Sequence, residues 1–415
     1  QYNFFRNRIS TTGPHLLSKY GFPREPVMKN KLIYALFIFA VSLNLLFGFW
    51  YVKTNYLKSK SEAEASWPTS HSGDLVFHNG LNFAIWGKFH DERNFNRLPV
   101  QYQNIVRQDV WNLSKHSAGI QIRFQTNSPD VSAKWKVSNN SSSAHMTKIG
   151  NSGIDLYCFA DGKWKYVSSG IPTGIENEAI LISDMDSTDK QFLINLPLFD
   201  GIEKIEIGIQ KGFSIRENEK TDKLPEKPII FYGTSITQGG CVSRPGMAYP
   251  SIISRNLNIE TINLGFSGNG KFEQSVGQAI CEIEAKLIVI DCTINSDPDT
   301  IKNNAMKLIQ QIRKCQPRTP VLLIESIMRK ELYFKKPDSK AFGSKNLIEA
   351  QNKELKKTYA RAMAAGITDL HYLDAGSLIG SDGEGTVDGA HLTDLGMMQL
   401  SKAIQNKIIE ILKIQ

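Results

Sequence analysis

The chain has 415 residues, 41% hydrophobic and 22% charged, which is long enough for two domains and excludes wholesale disorder. Its net charge of +8 comes entirely from residues 1–60, which carry nine Lys and Arg residues against one acid, Glu25. The remaining residues 61–415 are electrically neutral, so we expect no broad basic surface and no nucleic-acid partner.

The first predicted element is an uncharged apolar segment, residues 32–52, which follows an N-terminal tail at residues 1–31. Its 21 residues are enough to cross the hydrocarbon core of a bilayer as a transmembrane helix. Read from Met28, the first methionine, the sequence has the form of a signal peptide or signal anchor. We therefore expect residues 1–27 to lie outside the natural protein, with a short cytoplasmic tail as the alternative.

This apolar segment predicts export to the cell envelope or periplasm. Ala63-Glu64-Ala65 has the spacing of small residues found at cleavage sites, but it lies well beyond the apolar segment, in a linker at residues 53–67. The apolar segment is also longer than the usual core of a signal peptide. We therefore expect an uncleaved anchor that attaches the protein to the membrane, with cleavage and secretion as the alternative.

Residues 68–213 are predicted to form a β-sandwich domain of jelly-roll-like type. Apolar and polar residues alternate in several short segments, which is typical of half-buried antiparallel strands. Asp161-Gly162 between two of these segments is a strong hairpin signal, and few helical patterns interrupt the strands. The alternating segments include 120–124, 131–137, 154–158, 192–196 and 205–209.

Residues 214–228 are mostly charged, contain two prolines and are predicted to be a linker to an α/β domain at residues 229–415. In this domain short apolar runs alternate with helical stretches, which indicates a parallel sheet with helices on both faces. Ligands bind beyond the carboxyl ends of the strands in such sheets. The predicted strands are 229–232, 261–266, 287–291, 321–325 and 372–374.

The first of these strands runs into Gly233-Thr234-Ser235. A serine just past a buried strand can be an exposed nucleophile, although most serines at such positions cap a helix. Thr237 occupies the position of the second glycine of a Gly-x-Ser-x-Gly motif, so the nucleophile elbow of the α/β-hydrolase fold does not apply.

The next two strands are followed by candidate groups for stabilising an oxyanion. Gly265, Gly268 and Gly270 follow the second strand, and their backbone N–H groups can serve as donors. A phosphate-binding loop and a flexible turn are the alternatives, although neither a dinucleotide nor a Walker pattern is present. Asn295 follows the third strand and could donate through its side-chain amide or simply form a turn.

Asp388 and His391 lie three residues apart just before the last predicted helix. A carboxylate on one ring nitrogen fixes the tautomer of the imidazole and leaves the other nitrogen free to take a proton from serine. His371 opens a strand and is expected to pack instead. Because the serine, glycine, asparagine and Asp-x-x-His segments all fall at one edge of the predicted sheet, they are expected to form one site.

In this order, the segments resemble the SGNH (GDSL-like) hydrolase superfamily, and more closely its bacterial two-domain esterases with an N-terminal β-sandwich. Those esterases carry a Gly-x-Asp-Leu-Tyr motif, which here reads Gly153-Ile154-Asp155-Leu156-Tyr157. The resemblance spans about residues 68–415, and it implies a flavodoxin-like, three-layer α/β fold for the catalytic domain. Around Asn295 the chain reads Thr-Ile-Asn-Ser instead of the usual Gly-x-Asn-Asp, which leaves the local support of its amide in doubt. The matching stretches are 233–250, 263–273 and 382–397.

The resemblance implies a serine esterase that works through an acyl-enzyme. Ser235 would be the nucleophile, His391 the general base and Asp388 the residue that orients it. The backbone N–H groups of Ser235 and Gly268, with the Asn295 side chain, would form the oxyanion hole. No cofactor and no metal are expected.

The substrate expected from the resemblance is an acylated carbohydrate or another small ester, most often an O-acetyl ester. Arg244 and Glu325 are candidates for contacting the sugar, with surface or structural roles as the alternative. Trp86, Trp111 and Trp135 are candidates for stacking on sugar rings, although core packing is favoured for Trp135. A lipid esterase or thioesterase with the same triad and a non-catalytic glycan-binding protein are the rival hypotheses. The five cysteines allow a disulfide whose pairing, like the oligomeric state, the sequence leaves open.

Overall fold

The structure is a computed structural model that describes residues 73–140, 142–218, 227–328, 334, 336 and 344–414. Residues 68–415 form one compact unit. The predicted tail, membrane segment and first linker, residues 1–67, lie outside the described residues. Within the described ranges, no helix is both long and apolar enough to cross a membrane.

The N-terminal part is rich in antiparallel β-structure, as the alternating sequence pattern predicted. One sheet has the strand order β1-β9-β4-β7, and the other has the order β10-β3-β8-β5-β6, with β2 also paired to β3. The inward-facing apolar residues of both sheets form a common core that includes Ile122, Trp135 and Ile207. The strands are β1 (Leu75–Asn79), β2 (Ala84–Trp86), β3 (Gln121–Thr126), β4 (Val131–Val137), β5 (Ile154–Ala160), β6 (Lys163–Gly170), β7 (Glu176–Ile182), β8 (Lys190–Asn195), β9 (Ile202–Gln210) and β10 (Ile215–Arg216).

Two helices, α1 (Gln108–Ser114) and α2 (Lys148–Ser152), interrupt these strands, together with short 3₁₀ turns at Gly80–Asn82 and Val100–Asn104. Strand β10 falls inside the segment 214–228 that was predicted to be a linker, and it pairs antiparallel with β3. Residues 219–226 of that segment lie outside the described residues.

The C-terminal part contains the predicted parallel sheet. Its five strands have the order β12-β11-β13-β14-β15, which is the 2-1-3-4-5 order of flavodoxin-like sheets. The strands are β11 (Ile229–Gly233), β12 (Thr261–Gly265), β13 (Leu287–Asp291), β14 (Val321–Ile324) and β15 (Leu370–Leu373).

Helices cover both faces of this sheet, and the central strands β11 and β13 are buried along their whole length. Helices α5, α6 and α7 contribute to one buried cluster, and helices α4 and α8 contribute to the other. The helices are α3 (Ser235–Gln238), α4 (Tyr249–Leu257), α5 (Gln274–Cys281), α6 (Met306–Cys315, preceded by Pro298–Thr300 and the π-helical Ile301–Ala305), α7 (Lys345–Ala364) and α8 (Asp394–Leu412). Short 3₁₀ turns lie at Pro245–Met247, Thr293–Asn295 and Ala375–Ser377.

The β-rich part and the α/β part share their hydrophobic cores. Leu98, Tyr102 and Trp111 of the β-rich part belong to one apolar cluster of the α/β part, and Leu198 belongs to the other. Because these residues are buried in the shared clusters, the β-rich part packs against the α/β part along the edge where the parallel strands end. Since Trp111 and Trp135 are buried, neither is available to a sugar ring.

Candidate active site

The turn after β11 places Ser235 at the start of a short helix. Thr234 caps helix α3, since its hydroxyl accepts a hydrogen bond from the Ile236 N–H and its own N–H donates to Thr237 Oγ1 at 3.3 Å. A Cβ at Gly233 would lie 2.0 Å from Thr237 Oγ1, so this tight turn requires glycine. Ser235 is therefore the first residue of helix α3, and its hydroxyl points out from the edge of the sheet. There the hydroxyl is within hydrogen-bond distance of a residue from another segment of the chain.

That partner is His391. The Ser235 Oγ atom lies 2.9 Å from His391 Nε2, and His391 Nδ1 lies 2.7 Å from Asp388 Oδ2. The backbone N–H groups of Ala390 and His391 donate to the other carboxylate oxygen of Asp388. Gly389 has φ +81°, a conformation that glycine adopts without strain and that lets the chain turn between the two residues. The arrangement provides a continuous hydrogen-bonded path from a hydroxyl through an imidazole to a carboxylate.

Burial opposes ionisation of Asp388, but the hydrogen bonds from the His391 ring and from the Ala390 and His391 N–H groups lower its pKa to about 2. The carboxylate is therefore ionised at any neutral pH. An ionised carboxylate accepts the N–H of Nδ1, which leaves Nε2 as the acceptor that faces Ser235.

A second carboxyl group lies next to the turn at residues 233–237. Asp291, at the end of β13, accepts hydrogen bonds from Thr237 Oγ1 at 3.0 Å and from the Tyr249 hydroxyl at 3.1 Å. Burial raises its pKa to about 7, despite these two donors. Asp291 thus links Thr237, the third residue of α3, to the neighbouring strand β13. This link stabilises the turn at residues 233–237.

The two remaining residues predicted for the oxyanion hole follow β12 and β13, the strands on either side of β11. Gly268 has φ +70° in the turn that the Asn269 N–H closes onto the Phe266 carbonyl at 2.8 Å, and the space beside its Cα is open. Asn295 ends the 3₁₀ turn after β13, and its Oδ1 atom is buried without a hydrogen-bond partner among the described residues. The structure describes both positions, and their role as oxyanion donors stays a prediction.

Sequence reasoning missed a residue that supports the loop at residues 265–270, called here the glycine loop. The Gln238 side chain is fully buried, and its Oε1 accepts the Ser267 N–H at 3.0 Å. Its Nε2 donates to the Leu198 carbonyl at 2.8 Å and lies 3.1 Å from His116 Nδ1. Gln238 therefore links the β-rich part to the loop that carries Gly268, and a Gln after a candidate nucleophile carries no sequence signal for that role.

Arg97 is a second unpredicted link between the β-rich part and the glycine loop. Its buried guanidinium donates to the carbonyls of Asn263 at 3.2 Å and Gly265 at 2.5 Å, at the end of β12, and to those of Leu113 and His116. Burial lowers its pKa to about 9. The strand end just before the glycine loop is thus held by a cation from the other part.

Arg244 contacts the Gly-x-Asp-Leu-Tyr motif. Its guanidinium lies 3.0 Å from Asp155 Oδ2, donates to the Tyr157 hydroxyl and stacks over the Tyr166 ring at 3.9 Å. Asp155 is fully buried and also accepts the Gly246 N–H at 2.8 Å. These contacts anchor the loop that follows helix α3, and substrate binding by Arg244 stays a prediction.

Glu325 directly follows β14. Its carboxylate accepts hydrogen bonds from the Tyr372 hydroxyl and from the Ala375 N–H at 2.9 Å. The structure thus gives Glu325 a clear local partner at the neighbouring strand end, while its predicted contact with a sugar stays untested.

A cavity of about 400 Å³ opens next to the hydrogen-bonded group of Ser235, His391 and Asp388. The residues that line it are mostly of polar type, but the surface that they present to the cavity is mainly apolar. They come from the β-rich part, from the loop after α3, from the loop before α8 and from the start of α8. The lining residues are His145, Thr147, Cys241, Ser243, Glu384, Thr393, Asp394 and Leu395.

Two protein families match the chain in sequence. The GDSL-like lipase/acylhydrolase family matches residues 226–409, and the family described as the N-terminus of SGNH-hydrolase-type esterases, GxDLY, matches residues 75–215. The second match contains the Asp155 that holds Arg244. No curated protein matches this chain significantly.

Several solved structures are similar to the chain. A Bacteroides ovatus protein described as a GDSL-like lipase is 33% identical, with a TM-score of 0.77, and the match covers 82% of this chain and 99% of that one. The salicylyl-acyltransferase SsfX3 from a tetracycline biosynthetic pathway is 16% identical over 83% of this chain and 96% of its own, with a TM-score of 0.62. The acetyl xylan esterase Est2A from the rumen bacterium Butyrivibrio proteoclasticus is 12% identical over 81% of this chain and 99% of its own, with a TM-score of 0.51. The last two share the fold alone.

Proposed function

The chain belongs to the family of GDSL-like lipases and acylhydrolases and is a carboxylic ester hydrolase, and we propose that Ser235, His391 and Asp388 are its catalytic triad. The observation that carries this proposal is the pair of short contacts at His391, 2.9 Å to Ser235 Oγ and 2.7 Å to Asp388 Oδ2. Both distances are within the range of direct proton transfer.

In the acylation step, Ser235 Oγ attacks the carbonyl carbon of the ester while His391 Nε2 takes the hydroxyl proton. The ionised Asp388 stabilises the imidazolium that forms. The same proton then passes from Nε2 to the departing alkoxide, which leaves as an alcohol. In deacylation, water gives a proton to Nε2, attacks the acyl group and restores the Ser235 hydroxyl as the carboxylic acid departs.

The tetrahedral intermediate needs donors for its negative oxygen. We assign these to the backbone N–H groups of Ser235 and Gly268 and to the side-chain amide of Asn295. The exposed position of Gly268 supports this assignment, because a ligand can approach the backbone of a glycine closely. Removing one such donor costs about 10²–10³ in kcat.

The proposed substrate is a short acyl ester, above all an O-acetyl ester, on a carbohydrate. Est2A, which shares the fold, is an acetyl xylan esterase. A lipid esterase or thioesterase with the same triad is the competing outcome of the test.

We also propose that the enzyme acts outside the cytoplasm. The apolar segment at residues 32–52 supports export. A disulfide between Cys281 and Cys315 joins α5 to α6, and such bonds persist in oxidising compartments. Fractionation of cells that express the full chain tests this proposal, and recovery of the enzyme in the cytoplasm would contradict it.

The test of function compares acetate release from acetylated polysaccharides with hydrolysis of aryl esters of increasing acyl length. Ser235→Ala is expected to lower kcat at least about 10⁴-fold, and the control Ser187→Ala, at an exposed serine of the β-rich part, to leave it unchanged. Full activity of Ser235→Ala would show that the nucleophile is wrong. A preference for long acyl chains would favour the lipid esterase.

A further inference from the structure

Three side chains with metal-binding atoms converge at the edge of the triad. His145, Cys241 and His391 each offer one ligand atom, and these atoms all lie within 4.8 Å of one another. Within the part of the chain that the structure describes, no other group of three His, Cys, Asp or Glu residues meets in this way. The three residues come from the β-rich part, from the loop after α3 and from the loop before α8.

The cluster borders an open cavity, and one of its members has an unusual backbone conformation. His145 is exposed, and its ring centroid lies 5.6 Å from that of His391. Cys241 is 8% exposed and has φ +73°, a conformation that non-glycine residues rarely adopt and that the surrounding structure must impose. Both His145 and Cys241 line the cavity of about 400 Å³, which gives an ion a route to these two ligands.

The donor set selects the kind of ion. One thiolate and two imidazoles suit Zn²⁺, which forms tetrahedral sites with sulfur and nitrogen ligands and leaves a fourth position for water. Because hard ions such as Mg²⁺ and Ca²⁺ prefer oxygen ligands, they are poor candidates here.

We propose that Zn²⁺ binds His145, Cys241 and His391 and thereby inhibits the esterase reversibly. Cys241 releases its thiol proton to solvent as the sulfur–zinc bond forms, and no oxidation or reduction takes place. His391 binds through Nε2, because Nδ1 is engaged by Asp388 at 2.7 Å. The carboxylate then supports a metal-bound histidine, as it does in many zinc sites.

Inhibition follows from competition for one nitrogen atom, and this step rests on the proposed triad. The Nε2 atom that lies 2.9 Å from Ser235 Oγ has a single lone pair. Once that lone pair binds zinc, Ser235 has no base to accept its proton. Removal of the ion restores the base, so a chelator should restore activity in full.

The kinetic test titrates Zn²⁺ into an aryl acetate assay. Wild-type activity is expected to fall by more than about 90% and to return on addition of a chelator. Relative to its own zinc-free rate, each of His145→Ala and Cys241→Ser should need at least about tenfold more zinc for half-inhibition. The control Cys158→Ser, at a free cysteine of the β-rich part, should behave as wild type.

A binding test separates the metal site from the proposed catalytic role. Co²⁺ added to Ser235→Ala should produce a thiolate-to-cobalt charge-transfer absorption that is lost in Cys241→Ser and kept in Cys158→Ser. Unchanged inhibition in His145→Ala and Cys241→Ser, or the lack of this absorption, would overturn the zinc site. The absorption together with an inactive wild-type enzyme would instead contradict the proposed triad while the site stands.

Discussion

The buried contact between Asp155 and Arg244 makes a sharp prediction for the Asp155→Asn variant. Asp155 is fully buried, and its two oxygens accept hydrogen bonds from Arg244 at 3.0 Å, from the Gly246 N–H at 2.8 Å and from Asn195 Nδ2 at 2.7 Å. The asparagine has nearly the same shape but lacks the charge. The guanidinium of Arg244 would then stay largely buried, 19% exposed at its side chain, without a counter-ion.

The expected loss of stability follows from that uncompensated charge. Removing one partner of a buried ion pair costs about 3–5 kcal/mol, and the partial exposure of Arg244 places the cost near about 3 kcal/mol. For a unit spanning residues 68–415, the entropy of unfolding is of the order of 0.7 kcal/mol/K, so the midpoint of thermal unfolding should fall by about 4 °C. Because Gly246 lies on the loop after the nucleophile, kcat should also fall.

Thermal and denaturant unfolding followed by circular dichroism measure this effect. The matched control is Glu178→Gln, which breaks the exposed pair with Lys134 and should cost no more than about 0.5 kcal/mol. Arg244→Met placed in the Asp155→Asn background should recover part of the loss, since it removes the unpaired cation. Equal, small losses in Asp155→Asn and Glu178→Gln would refute the reasoning.

Three further predictions concern the triad, the buried acids and the disulfide. Asp388→Asn should lower kcat by about 10²–10⁴ in an aryl acetate assay without changing the unfolding midpoint by more than a few degrees; a kcat within twofold of wild type would exclude Asp388 from the triad. Burial raises the pKa of Asp291 from 3.8 to about 7, so the folded state keeps a proton that the unfolded state releases, and stability should fall as pH rises from about 4 to 7. Asp291→Asn should reduce that loss of stability. Burial also raises the pKa of Glu260 to about 7, so Glu260 should account for the part of the loss that remains in the variant. Unfolding midpoints measured across this pH range test both expectations. Replacing Cys281 and Cys315 by alanine should cost about 3–4 kcal/mol, given their separation of 34 residues, and a reductant should remove the difference between the variant and wild type.

The regular pattern of the sequence predicted which elements form and where the site lies. Period-two alternation predicted the antiparallel N-terminal part, and strand–helix alternation predicted the parallel sheet. Because parallel strands end at one edge, Ser235, Gly268, Asn295 and the Asp388–His391 segment were expected there from their order alone. The family matches confirm the resemblance on which the function was predicted.

The sequence could not show which distant groups support that edge. Arg244 was a candidate for contacting a substrate, with a structural role as the alternative, and its partner in the structure is Asp155, 89 residues away and in the β-rich part. Gln238 and Arg97 hold the glycine loop through contacts across the same boundary, and neither belongs to a motif. His145 reaches the triad in the same way, although no spacing of histidines and cysteines predicted a metal site.

By itself, the sequence determined the local elements and the residue types at each strand end, since propensity and periodicity depend on near neighbours. The tertiary structure decided which side chains meet, such as Ser235 and His391 across 156 residues, because those contacts depend on how the strands are ordered and how the two parts share a core. A hydrogen bond needs positions correct to within a fraction of an ångström, and only the packed sheet with its β-rich neighbour supplies that precision.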